Sequence, residues 1–141
     1  MSVTAAQGFV AAGVAAGIKA TGKRDLALVA NVGPRRCAAG VFTSNRFQAA
    51  PVVWSVAALA GGQLDAVVLN SGGANACTGD AGLADARAMA AATATALGTS
   101  DERVAVCSTG LIGVRLPMDA VTAGIAEAAV QASAQGGAAA A

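Results

Sequence analysis

Apolar residues along this chain gather in short runs, each closed by a glycine, a proline or a cluster of small polar residues. Residues 25–30, Asp-Leu-Ala-Leu-Val-Ala, read as a buried strand that ends in the turn chemistry of Asn31-Val32-Gly33-Pro34. The connection to the next apolar run is short, which predicts residues 37–43 as an antiparallel neighbour. Pro51 is expected to open a short extended stretch through Val52, Val53 and Trp54. Ser55 then caps a helix over residues 56–60 that Gly61-Gly62 stops. Residues 65–69 form a third strand, which runs into the loop Asn70-Ser71-Gly72-Gly73-Ala74-Asn75-Ala76-Cys77-Thr78-Gly79. Asp80 is placed to cap a helix over residues 81–97 with Gly98 as its stop; alanine suits either side, so the helix's inner face is illegible. Residues 104–107 are a fourth strand. Over residues 118–131, Met118, Val121, Ile125 and Ala129 recur at helical spacing, with Asp119, Glu127 and Gln131 off that stripe. Residues 133–141 are alanine- and glycine-rich and offer little to pack. This order implies a mixed-sheet α/β layered sandwich. Residues 1–132 would be its α/β domain and 133–141 a terminal segment.

Composition narrows the function classes. Of 141 residues, 55% are hydrophobic, but alanine supplies much of that share and the apolar bulk is modest. Nine Lys+Arg against eight Asp+Glu give a net charge of +1 with no block of like charge, so no basic stripe is available for nucleic acid or an acidic membrane surface. The uncharged stretches near the N-terminus and over residues 47–64 are broken by glycines, glutamines and Pro51. Both read as soluble chain rather than signal peptide or membrane span. Cys37, Cys77 and Cys107 are odd in number and lack C-x-x-C spacing, and the chain has no histidine. A disulfide framework and a zinc site are therefore not expected, and reduced thiols in a cytoplasmic protein are the plain reading.

The candidate chemistry lies in Cys107-Ser108-Thr109-Gly110-Leu111-Ile112-Gly113. A Ser-Thr-Gly turn at a strand end can aim a hydroxyl and a backbone N–H at one point, the equipment for holding a developing oxyanion. Without histidine, the usual Ser-His or Cys-His nucleophile cannot be completed beside it. On the residues alone, Thr109-Gly110 is either such a site or a turn that satisfies its own backbone, and Ser108 competes as the hydroxyl that matters. The loop at residues 70–79 could suggest a phosphate cradle, but it lacks the lysine of a P-loop and the G-x-G-x-x-G spacing. Its bland reading is self-tying by Asn70 and Asn75, with Cys77 a small packing residue. Arg115 and Lys19 are each either a carboxylate holder or a solvated loop charge.

Several pieces together resemble the N-terminal part of the ornithine acetyltransferase (glutamate N-acetyltransferase) family of arginine biosynthesis. They are Gly8-Phe9 with residues 12–19, residues 25–29, Ala39-Gly40-Val41-Phe42-Thr43 with Ala49-Ala50-Pro51-Val52, residues 70–79, and Ser108-Thr109-Gly110-Leu111-Ile112-Gly113 with Leu116-Pro117-Met118. They follow the family's order from residue 8 to about 130. The resemblance implies a precursor that cuts itself before a threonine. That residue then heads a β chain and acts as nucleophile with its own α-amine as base. Acetyl passes from N-acetylornithine to the threonine and on to glutamate in ping-pong fashion, and some members accept acetyl-CoA as donor. No cofactor or metal is implied. Thr109, through its hydroxyl, and Gly110, through its N–H, correspond to the oxyanion hole, and α and β chains pair as a heterotetramer. The sequence stops at Ala141, before the self-cleavage threonine, so the resemblance implies an α-side fragment inactive alone. The alternatives are a non-catalytic structural remnant and a small nucleotide-binding α/β domain.

Overall fold

The computed structural model describes residues 2–141. The strands are β1 (Phe9–Val14), β2 (Leu26–Asn31), β3 (Ala66–Gly73) and β4 (Val104–Leu111). The helices are α1 (Ala50–Leu59), α2 (Gly79–Leu97), α3 (Met118–Gln131) and the single turn α4 (Gly137–Ala140). The four strands make one sheet in the order β1-β2-β3-β4, antiparallel as far as β3, with β4 parallel to β3. The mixed-sheet α/β class expected from the sequence is the one observed.

Alternation along the strands gives the sheet two unlike faces. Ala12, Val14, Leu26, Leu28, Ala30, Ala66, Val68, Val104 and Val106 are buried and register with one another across the strands. Against them lie Met89, Ala90 and Ala94 of α2 and Val121, Ile125 and Ala128 of α3, completing the core. Burying each of Leu26, Leu28, Met89 and Ile125 contributes about 1.5–3 kcal/mol. The opposite face is only partly covered. There α4 lies on β1, and a Cβ on Gly13 would collide with the Ala139 carbonyl.

Helix α1 shields the free edge of β4 through side chains rather than a strand ladder. Ser55 Oγ donates to Val106 O at 2.8 Å and accepts from Val106 N at 2.9 Å, while Trp54 Nε1 donates to Val104 O at 2.9 Å. An edge strand leaves backbone groups unpaired. Ser55 satisfies two of them at once.

Several expectations are corrected. Residues 37–43 form no strand and make only the isolated bridge Cys37–Gln63. The reason is that both hydrogen-bonding edges of β2 are already taken, by β1 and β3. The true neighbour, β1, is Phe-Val-Ala-Ala-Gly-Val, too poor in bulk to announce itself. Pro51 starts helix α1 instead of an extended stretch, since its fixed φ suits the first helical turn. Ser55 is thus inside that helix and not its cap. Thr78, not Asp80, holds the N-cap position of α2; Asp80 sits in the first turn, where its charge suits the helix dipole. Gly98 ends α2 in the left-handed region at φ 68°, as expected. Residues 133–141 pack after all: Ala11 and Ser133 exchange N–H···O bonds of 2.9 and 3.0 Å.

Candidate functional site

The Ser-Thr-Gly segment is not a turn. Strand β4 continues through it to Leu111, beside the end of β3, with Ser71 opposite Thr109 and Gly72 opposite Gly110. The register slips at Gly73, which pairs with both Thr109 and Leu111, and such a bulge re-aims the groups around it. Gly72 and Gly110 stand at φ 116° and 131°. A Cβ on Gly110 would lie 2.7 Å from both Gly72 O and Gly73 N, so only glycine allows the two strands to meet there.

Strand alternation separates the two competing hydroxyls. Ser108, in register with Asn70, turns towards the core, where its Oγ is buried without a hydrogen-bond partner. Thr109 is exposed on the opposite face, and the neighbouring Gly110 is exposed as well. Thr109 lines a cleft of about 380 Å³ together with Arg24, Ala27, Leu69, Ser71, Cys107 and residues 139–141. Cys107 is exposed in part, yet desolvation pushes its thiol pKa above the ordinary value and makes it a poorer nucleophile at neutral pH.

The loop over residues 15–24 meets this cleft at Arg24. Its organiser is Asp25, 3% exposed, which sequence reading passed over as a strand residue. The Asp25 carboxylate accepts the N–H groups of Ala16 at 2.7 Å and Lys19 at 2.8 Å, and its own carbonyl accepts Ser71 N–H at 2.8 Å. The stem of Lys19 lies across Gly72, whose added Cβ would be 3.1 Å from Lys19 Cγ. Asp25 thereby fixes both the loop and the end of β3.

The expected loop over residues 70–79 is strand at first, because β3 continues to Gly73, and side chains tie down the rest. Asn70 Nδ2 donates to Gly73 O at 3.0 Å, and the buried Asn75 donates through Nδ2 to Gly82 O at 2.8 Å. Thr78 Oγ1 donates to Asn75 Oδ1 at 2.7 Å. Gly82 has no room for a Cβ beside Thr78 and Asn75, so helix α2 begins close against the loop. Cys77 is exposed at φ 57°. Both asparagine amides are spent on the protein's own backbone, the self-tying role expected of them.

Arg115 is not a solvated charge. Its Nε and Nη2 each lie 2.6 Å from the buried Asp85 carboxylate, a bidentate pair that holds the guanidinium firmly in its charged form. This pair pins the segment after β4 to helix α2. Among the described residues no cluster of three or more His, Cys, Asp or Glu side chains could hold a metal, and no helix is long and apolar enough to cross a membrane.

With this geometry in place, the chain can be set beside known proteins. A family model described as the ArgJ family matches residues 10–141. An "arginine biosynthesis bifunctional protein ArgJ" of Streptomyces coelicolor is 64% identical over 137 residues, 97% of this chain and 36% of that protein. The protein of the same name from Mycobacterium tuberculosis is 63% identical over 129 residues, 88% of this chain and 32% of that one. The chain thus spans about a third of the length of the curated relatives it matches. Among solved structures, the ornithine acetyltransferase of Mycobacterium tuberculosis, in complex with ornithine, superposes with a TM-score of 0.97 at 57% identity. It is matched over 99% of this chain and 76% of the solved one. The ArgJ protein of Bacillus halodurans superposes with a TM-score of 0.90 at 40% identity, over 99% of this chain and 73% of its own.

Proposed function

The chain belongs to the ArgJ family of bifunctional arginine-biosynthesis enzymes, and from that premise we propose that it is the α-side portion of an ornithine acetyltransferase and glutamate N-acetyltransferase. In this reading it contributes the oxyanion hole, Thr109 through its hydroxyl and Gly110 through its N–H, to a site completed by a β chain. The observation that carries the reading is the end of the β3–β4 ladder. There an exposed hydroxyl that lines a cleft stands next to a glycine whose conformation no other residue would hold.

The family resemblance supplies the chemistry. This portion holds no histidine, and in the proposed reading the nucleophile is an N-terminal threonine on the β chain with its own α-amine as base. That threonine Oγ attacks the acetyl carbonyl of N-acetylornithine while its amine takes the hydroxyl proton. The carbonyl π electrons move onto oxygen, where Thr109 O–H and Gly110 N–H steady the charge. Collapse expels ornithine, which leaves with the proton, and glutamate's amine repeats the sequence on the acetyl ester. Each donor of this kind is worth about 3–4 kcal/mol of barrier.

Chain lengths support the two-chain reading. With 88% of its length this chain covers 32% of the full Mycobacterium tuberculosis relative, and with 99% it covers 76% of the solved chain from that organism, which is therefore somewhat under half the full polypeptide. Co-expression with a complementing β chain, followed by assay of acetyl transfer from N-acetylornithine to glutamate, tests the proposal. Transfer that depends on Thr109 is expected. A folded, associated pair with no transfer would reduce the chain to a structural remnant.

A further inference from the structure

The two donors proposed for the oxyanion hole sit on a strand end that is backed by a loop. Gly110 is pressed against Gly72: a Cβ on Gly110 would lie 2.7 Å from the Gly72 carbonyl oxygen. Gly72 is closed in on its own Cβ side by Ile18, whose Cγ2 stands 2.9 Å from where a Cβ would be, and by Lys19 Cγ at 3.1 Å. Ile18, Gly72 and Gly110 are therefore three successive layers, contributed by the β1–β2 loop, β3 and β4. Ile18 is half-buried and also packs against the hydrophobic core.

Little within the loop itself fixes Ile18 there. Gly17 and Gly22 turn at φ 83° and 66° in open space, and the loop's internal hydrogen bonding, among the described residues, is one 3.5 Å contact from Lys23 N–H to Thr21 Oγ1. The hold comes from Asp25. Its Oδ1 accepts Ala16 N–H and its Oδ2 accepts Lys19 N–H, so the two bonds bracket Ile18 in the chain. Asp25 is buried, and among the described residues the ion pairs involve only Asp65 and Asp85, so no cation faces it. A buried carboxylate without a cation is costly unless its hydrogen bonds are made, which ties the loop's position to these two N–H groups. The Asp25 carbonyl also accepts Ser71 N–H, and Ser71 is the register partner of Thr109.

Resting on the acyl-transfer reading above, we propose that Asp25 and Ile18 are positioning residues of the oxyanion hole. Asp25 clamps the loop so that the Cγ2 methyl of Ile18 bears on Gly72, and Gly72 in turn keeps the Gly110 N–H and the Thr109 hydroxyl on aim. Donors that act on charge developing only in the transition state lower kcat and kcat/KM together when they are displaced, and leave KM alone. A misplacement of about 1 Å can cost roughly 100-fold, so a partial loosening should cost about tenfold.

The test uses the chain assembled with its β chain and carrying Asp25→Asn, Ile18→Leu or Ile18→Val. Asparagine keeps the size of Asp25 but must turn an NH2 towards one of the two N–H donors. Leucine keeps the volume of Ile18 without a methyl on Cβ, whereas valine is smaller and retains that methyl. Transfer from N-acetylornithine to glutamate is measured per working site, counted by the acetyl-enzyme burst, and the Gly110 amide resonance is followed by NMR. Asp25→Asn and Ile18→Leu should lower kcat about tenfold with KM within twofold, and should shift the Gly110 resonance. Ile18→Val should match the unaltered chain in both. Because Ile18→Leu conserves core volume, it carries the test even if Asp25→Asn fails to assemble. Equal losses in Ile18→Leu and Ile18→Val would make Ile18 a matter of core volume and overturn the proposal. A raised KM at constant kcat overturns it too, by assigning the loop to substrate binding. So does an unmoved Gly110 resonance in Asp25→Asn and Ile18→Leu. An unaltered assembly without transfer, whose Gly110 resonance still responds as expected, removes the acyl-transfer reading and leaves the clamp standing.

Discussion

Replacing Gly110 by alanine separates a site built by backbone from one built by side chains. At φ 131° a non-glycine residue costs about 1–3 kcal/mol in strain. The new methyl would also collide with the Gly72 carbonyl carbon and start 2.7 Å from Gly72 O and Gly73 N, whereas ordinary van der Waals contact begins at 3.4 Å, so the β3–β4 ladder must open by about 1 Å at its end. That movement displaces the Gly110 N–H and the Thr109 hydroxyl together. A misplacement of about 1 Å can cost roughly 100-fold in rate. In the assembled enzyme, Gly110→Ala should therefore lower kcat for acetyl transfer at least 100-fold. Its melting temperature should fall by about 3–10 °C, the range that 1–3 kcal/mol gives for a domain of this size. Thr109→Ala is the matched control. It removes one exposed hydroxyl, so activity should drop about 100-fold while the melting temperature stays put. Steady-state kinetics and calorimetry on the two variants decide the matter. A Gly110→Ala enzyme with near-normal turnover, or a Thr109→Ala enzyme with full activity, would refute the assignment of this ladder end as the oxyanion hole.

Other consequences are local. Ser55→Ala strands the N–H and C=O of Val106 on a buried strand edge and should destabilise the chain by about 2–4 kcal/mol, measured by urea unfolding. Asp25→Ala frees the Ala16 and Lys19 amides, whose hydrogen-exchange protection should disappear ahead of the core strands. Arg115→Ala leaves the buried Asp85 carboxylate unpaired and should lower the melting temperature clearly more than Arg87→Ala, an exposed change on the helix that carries Asp85. Because desolvation raises the Cys107 thiol pKa, its alkylation at pH 7 should lag behind that of an unburied thiol and set in at higher pH. A Cys107 that reacts fully at pH 7 would contradict that burial.

Much was legible in the chain itself. Strong apolar runs announced β2 and β3, the stripe of Val121 and Ile125 announced α3, and Gly98 marked the end of α2. These signals survive because each is local: a side chain's bulk, a period, or a glycine's tolerance of positive φ. The Ser-Thr-Gly and Asn-Ser-Gly-Gly-Ala-Asn-Ala pieces carried the family resemblance for the same reason, being short and contiguous.

What the tertiary structure alone decided depends on neighbours distant in sequence. Whether residues 9–14 or 37–43 pair with β2 is a competition for one hydrogen-bonding edge, and no local pattern records who wins it. Ser55 looks like a cap from its flanks but acts on Val106, fifty-one residues away. Ser108 and Thr109 are equivalent hydroxyls in sequence; strand alternation buries one and exposes the other. Asp25, Asp85 and Arg115 took their roles from where the chain returned to meet them. Residue chemistry sets what each position is able to do, and the packed fold selects which of those abilities is used.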